Sequence, residues 1–208
     1  MTEWSGRRDA LVDRLTSRED LDPATERAMR VVPRHRFVPE DRRASAYEDT
    51  PLPIGEGQTI SAPHMVAIMT DLLDLREGEE VLEIGTGCGY HAAVTAEIVG
   101  AENVYSVEYH DRLARKARGT LADAGYGAVS VRAGDGKDGW SEHAPYDRAY
   151  LTCAAEDIPA AVVDQTRPGG IVLAPVGTSR QVLVRARRRV DGTLDRERHG
   201  HVRFVPLQ

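Results

Sequence analysis

Three glycines at alternate positions, Gly85, Gly87 and Gly89, separate the apolar run Val81-Leu82-Glu83-Ile84 from a helical pattern spanning His91 to Val99. Glycine lets the main chain take conformations that a Cβ forbids and lets a ligand lie directly on the backbone. Free amides at the start of the next helix then face that ligand. Twenty-three residues after Gly85, a second apolar run, Val104-Tyr105-Ser106-Val107, ends in Glu108, where a nucleotide-type fold sets a carboxylate against ribose hydroxyls. Tyr90 stands where a dinucleotide fingerprint has its last glycine. The pattern therefore favours adenosine without a pyrophosphate, and S-adenosylmethionine is the common ligand of that kind. A tight turn in an unrelated α/β domain is the alternative, and Glu108 in register counts against it.

Other residues extend this chemistry. Asp135, in Gly134-Asp135-Gly136, follows a predicted strand and could accept a hydrogen bond from an adenine amino group; an ordinary Asp-Gly turn is the other reading. Ser61 precedes Pro63 and an apolar stripe of Met65, Ile68, Met69, Leu72 and Leu73, so it reads equally as a helix cap or as a catalytic hydroxyl. His64 is likewise either a first-turn surface residue or part of a site. Glu83, beside the glycines, would favour a sulfonium and repel an anionic substrate; it could hold the cofactor's amino group or a loop amide, or serve structure alone. Cys153-Ala154-Ala155 after a predicted strand leaves room for a substrate.

The elements that position these residues alternate strand and helix. Short helices are predicted over 5–16 and 23–32, then a proline-rich loop reaching residue 62. Helices follow over 63–73, 110–124 and 158–165, and strands over 129–132, 146–152 and 171–176. A hairpin of 181–187 turns at Asp191-Gly192-Thr193, and a last strand covers 202–207. This alternation predicts an α/β, doubly wound, mostly parallel sheet with an N-terminal helical cap and a C-terminal hairpin, and the glycine motif adds the expectation of a Rossmann-like methyltransferase fold. One domain, 1–208, is expected, with cap and substrate loop in 1–62 and the cofactor-binding core in 63–208.

With 208 residues and a net charge of −6 spread along the chain, nothing predicts a sequence-independent grip on nucleic acid. The run Arg185 to Arg189, broken only by Ala186, reads as a solvated strand end. Cys88 and Cys153 lack metal-type or redox-type spacing and read as free thiols in a reducing compartment. No apolar run suits a membrane span or leader, so a cytoplasmic protein, expected to be monomeric, is the reading.

Taken together, Ala46-Tyr47-Glu48-Asp49, Pro51-Leu52-Pro53-Ile54-Gly55, Gln58-Thr59-Ile60-Ser61-Ala62-Pro63-His64-Met65, Val81 to Tyr90, Gly134-Asp135-Gly136 and Val202-Arg203-Phe204-Val205-Pro206-Leu207 resemble protein-L-isoaspartate O-methyltransferase. The resemblance implies repair of damaged proteins and peptides: methylation of the α-carboxylate of L-isoaspartyl, and sometimes D-aspartyl, residues, with S-adenosylmethionine as donor and S-adenosyl-L-homocysteine as product. It implies Ser61 as the active-site serine. Thr59, Ser61, His64, Glu83, Gly85, Thr86, Gly87, Gly89, Glu108, Asp135 and Gly136 become expected cofactor contacts. Ile60, Ser61, Thr152, Cys153, Ala154, Val205, Pro206 and Leu207 become expected substrate walls. It also implies an unusual order of the last two strands. Rival readings are an aspartyl methyltransferase dedicated to one biosynthetic peptide, a methyltransferase of RNA or a small molecule, a non-catalytic binder of damaged peptides, and a dinucleotide oxidoreductase.

Overall fold

A computed structural model describes residues 3–208. Two helices, α1 (Glu3–Thr16) and α2 (Pro23–Val31), open the chain. Asp22 caps α2 by accepting the Ala24 amide, and Pro23 occupies its first turn, where a missing N–H is harmless. The loop that follows holds two 3₁₀ turns and a small antiparallel hairpin, β1 (Leu52–Gly55) and β2 (Gln58–Ile60). The sequence reading took this stretch as extended loop throughout. The missed signal is Gly55-Glu56-Gly57, whose three residues take positive φ between strands that alternate buried and exposed residues.

Helix α3 (Pro63–Leu73) leads into the core: β3 (Val81–Ile84), α4 (Tyr90–Val99), β4 (Val104–Glu108), α5 (Asp111–Ala124), β5 (Ser130–Ala133), β6 (Tyr146–Leu151) and α6 (Ala160–Asp164). The chain closes with β7 (Thr166–Val176), β8 (Gln181–Arg188) and β9 (Leu194–Val202). Seven strands form one sheet in the order β5-β4-β3-β6-β7-β8-β9. The first five neighbours pair in parallel, whereas β8 and β9 are antiparallel additions in chain order. Every residue of β3 and β6 is buried, as expected for central strands covered by helices on both faces.

Three boundaries depart from the sequence reading at the C-terminal end. Helix α6 is five residues long rather than eight, because Pro159 stands at its N-cap and Gln165 ends it. Strand β7 starts at Thr166, not Ile171: Tyr146 pairs with Thr166 and Arg148 with Ile171, so the Arg167-Pro168-Gly169-Gly170 segment is a bulge rather than a helix end. The last strand is Leu194–Val202 instead of 202–207. Its interior is exposed on both faces and charged, so it carries no apolar period to detect; it is a polar sheet edge of the kind that resists strand addition. Arg185 and Arg187 of the basic run bond the Leu72 and Gly169 carbonyls, and Arg189 pairs with Asp195.

Candidate active site

The carboxyl ends of β3, β4 and β6 converge on a cleft with three lobes. The first, which is open to solvent on one side, spans about 510 Å³ and is lined by Ile84, Gly85, Gly87, Val107, Glu108, Gly136, Cys153 and the tail residues Val205, Pro206 and Leu207. The second, about 310 Å³, lies under the glycine loop, with Ile60, Ser61, Glu83, Thr86 and His91 among its walls. The third, about 860 Å³, opens outward past Ser61, His64, Met65, Arg203 and Val205. Thr59 and Thr152 border all three lobes, so they stand at the waist where the contents of the lobes would meet.

The first lobe suits adenosine. Glu108 is buried, and its carboxylate accepts the Gly87 amide at 2.8 Å and the His110 amide at 3.0 Å, which fixes it at the end of β4. Ile84, Val107 and Leu207 supply apolar walls. Gly85 takes φ +97°, and a Cβ there would lie 2.3 Å from Thr152 Oγ1; one on Gly136 would lie 2.3 Å from Ile84 Cγ2. A side chain at either position would therefore clash with Thr152 or Ile84, which themselves line the lobe, so only glycine fits there. Gly89 serves differently. It stands at the N-cap of α4, where a Cβ would meet Leu121, and it lines none of the three lobes. Asp135 also stays out of the lobes: its side chain accepts the Lys137 amide and pairs with Lys137 Nζ. Its Oδ1 thus closes the Asp-Gly turn at the end of β5, beside Gly136, which does line the lobe.

Glu83 is fully buried at the floor of the second lobe. Ser106 Oγ and Tyr150 OH donate to it at 2.5 and 2.9 Å, and Thr86 Oγ1 lies 2.5 Å from Ser106 Oγ. Among the described residues, Glu83 thus binds neither a loop amide nor a cationic side chain. Burial raises its pKa to about 8, opposed by these two hydrogen bonds. His91 is neutral because burial lowers its pKa to about 3. Its Nε2 faces Thr70 Oγ1, and Nδ1 has no partner. Burial pushes the Cys88 and Cys153 thiols up to about 11 and 12, which leaves them protonated and unreactive near neutrality.

Ser61 does not cap α3. The N-cap is Ala62, without a side-chain hydrogen bond. Pro63 holds the preceding residue extended, and the helix-start donor that Ser61 was expected to satisfy, the His64 amide, is taken by Asp49 Oδ1 at 2.9 Å. The same oxygen lies 2.9 Å from His64 Nδ1. Among the described residues the Ser61 hydroxyl has no hydrogen-bond partner, and it borders the second and third lobes. The strand-end wall is closed by the tail: the Ala154 amide donates to Val205 O and the Leu207 amide to Ala154 O, both at 2.8 Å. Ala154 therefore shapes the wall by holding the tail, with its own surface in a neighbouring groove.

Sequence reasoning missed several lining residues. Gln58 and His110 approach each other across the mouth of the first lobe at 3.4 Å. Gln58 adjoins Thr59 and His110 lies two residues past Glu108, and that proximity was the available signal. Arg34 and Asp49, which brace the Ser61 loop, carry no local signature.

Fold and cleft together define a Rossmann-like methyltransferase with an adenosyl-cofactor site. The family model of protein-L-isoaspartate(D-aspartate) O-methyltransferase matches residues 6–208, and the chain belongs to that family. Protein-L-isoaspartate O-methyltransferase 2 of Archaeoglobus fulgidus is 52% identical over 207 residues, covering 99% of this chain and 94% of its own length. The enzyme of that name from Methanothrix thermoacetophila is 52% identical over 202 residues, covering 97% and 94%. A solved protein-L-isoaspartate O-methyltransferase superposes with a TM-score of 0.87 at 28% identity over 96% of this chain, which spans 65% of that longer one. A Plasmodium falciparum structure in complex with S-adenosyl-L-homocysteine, 23% identical, shares the fold with a TM-score of 0.83 over 97% of this chain and 98% of its own.

Proposed function

We propose that Ser61 orients one oxygen of an L-isoaspartyl α-carboxylate so that the other attacks a methyl group delivered at the Thr59–Thr152 waist. The chain is an S-adenosylmethionine-dependent methyltransferase of its family, and it acts on isoaspartyl residues in damaged proteins and peptides. The methyl ester closes to a succinimide, whose hydrolysis returns aspartate. The cofactor, when bound, supplies an electrophilic methyl on a sulfonium. Glu108 would hold its ribose hydroxyls, Ile84, Val107 and Leu207 would wall its base, and the Gly85–Gly87 main chain would lie against it; the buried carboxylate, the apolar walls and the glycines fit such a ligand.

A carboxylate with an ordinary pKa near ~4 is ionised at neutral pH, so the chain needs no general base, and Ser61 acts as donor rather than nucleophile. What the residues contribute is alignment and the exclusion of water, worth on the order of 7–11 kcal/mol in well-oriented reactions. Thr59, Ile60 and Ser61 close one side, and Cys153, Val205, Pro206 and Leu207 the other. The substrate enters by the outward-opening third lobe. Function as a monomer in the cytoplasm completes this reading.

The observation that carries it is the Ser61 hydroxyl, freed from the helix cap by Asp49 and unpartnered between the two lobes. The test is methyl transfer from labelled S-adenosylmethionine to paired peptides that differ only in isoaspartate or aspartate at one position. The expected result is methylation of the isoaspartyl peptide alone; equal methylation of both, or of neither, would overturn it.

A further inference from the structure

Arg34 is a charged side chain sealed in the cap, with no measurable exposure. Its fork grips one loop at three points: Nε donates to Ala46 O at 2.8 Å, Nη2 to Thr50 O at 3.2 Å and Nη1 to Ser61 O at 2.9 Å. Its Cζ lies 5.1 Å from the centre of the Tyr90 ring. Among the described residues no carboxylate forms an ion pair with it. The carboxylate whose charge acts on it is Asp49, which is engaged by His64. A guanidinium stays charged even when burial lowers its pKa, and an unpaired buried charge is expensive unless something compensates it. Neutral donors could hold three carbonyls. A cation bonded to the carbonyl of the very residue whose hydroxyl meets the substrate does something more.

We propose that Arg34 is the specificity-determining counter-charge for the substrate: bonded to the Ser61 carbonyl, its buried guanidinium favours an ionised α-carboxylate at the Ser61 hydroxyl over any neutral group of the same shape. This rests on the reading of Ser61 given above. Because methylation converts the carboxylate to a neutral ester, the attraction is present for substrate and absent for product, which promotes release. The effect belongs to binding, since a cation near the nucleophile stabilises its ground-state charge. Arg34 touches no reacting atom; it is a positioning and specificity residue. Arg203, exposed at the rim of the same lobe, is the competing source of positive charge.

The test compares binding of an isoaspartyl peptide with that of its isoasparaginyl counterpart, in which a neutral α-amide replaces the carboxylate, at saturating S-adenosyl-L-homocysteine. Wild-type protein is first shown to methylate the isoaspartyl peptide; failure there would overturn the functional reading itself. With that established, Arg34→Gln, which keeps donors and removes the charge, is expected to lower the acid-over-amide preference about tenfold. KM should rise with it, kcat should change less, and affinity for S-adenosyl-L-homocysteine should stay within about twofold. Arg34→Lys should retain the preference, and Arg203→Gln should leave it unchanged. A wild-type preference in Arg34→Gln with homocysteine-product binding intact would overturn the proposal. So would transfer of the effect to Arg203→Gln. Should Arg34→Gln fail to fold, Arg34→Lys decides: preference retained supports the proposal, and preference lost overturns it.

Discussion

The adenosine lobe is assembled from neighbours in the sheet, whereas the substrate lobe is assembled from segments far apart in sequence. Gly85, Glu108 and the Gly134–Gly136 turn sit at the ends of β3, β4 and β5, whose parallel registers pair Ile84 with Val107 and Glu108 with Ala133. Once those strands pair, the glycine and carboxylate side of the adenosine lobe exists, and Leu207 of the tail adds only an apolar wall. The substrate lobe instead needs the Ser61 loop, the end of β6 and the C-terminal tail to be brought together. Its ties are long-range: Arg34 to Ser61 O, Asp49 to His64, Ala154 to Val205 and Gln181 to Phe204. The difference teaches that cofactor binding is a property of the sheet, while substrate recognition is a property of the loops clamped onto it. The two should fail separately.

The largest expected effect breaks the sheet-borne half. Gly85→Ala forces a Cβ to within 2.3 Å of Thr152 Oγ1, which is held by the Ile84 and Gly85 carbonyls, at a φ of +97°. Positive φ and overpacking together should cost about 2–5 kcal/mol. Titration calorimetry should find no S-adenosyl-L-homocysteine binding, and the melting temperature should drop. Affinity within threefold of wild type would show that the glycine cradle is not the binding surface.

A smaller effect sharpens the contrast between the polar floor and the loops. Burial raises the pKa of Glu83 from 4.5 to about 8, so the folded protein holds a proton there that the unfolded chain releases. Its stabilising contribution is complete below about pH 4.5 and is lost as pH rises through about 8. The loss is at most about 4–5 kcal/mol. Urea unfolding of cofactor-free protein should therefore show wild type losing stability between pH 5.5 and 8.5, and Glu83→Gln losing distinctly less. Parallel profiles for the two would contradict the buried, protonated carboxyl.

The same division explains what was legible in the sequence. The glycine motif, Glu108 and the central strands were readable because their signals are local: apolar runs of four or five residues, a turn, and an acid at a fixed interval. The role of Ser61 was not readable locally. A serine two residues before a helix-starting proline looks like a cap, and only Asp49, fifteen positions before the His64 amide it accepts, shows that the cap is supplied from elsewhere. Asp135 was legible as a turn residue, and its carboxylate does close that turn. Strand β9 escaped because an edge exposed on both faces has no period. The β7 bulge escaped because Pro168-Gly169-Gly170 reads as a break. The motif resemblance supplied for Ser61 what physical patterning left open.

The most direct test of a substrate half separable from the cofactor half is Ser61→Ala, measured for turnover and for cofactor-product affinity in the same preparation. Loss of one hydrogen bond to a carboxylate is worth about 1.5–3 kcal/mol, so kcat/KM for an isoaspartyl peptide should fall roughly tenfold to a hundredfold while S-adenosyl-L-homocysteine affinity stays within about twofold. Full turnover in Ser61→Ala, or loss of turnover and cofactor affinity together, would contradict the account.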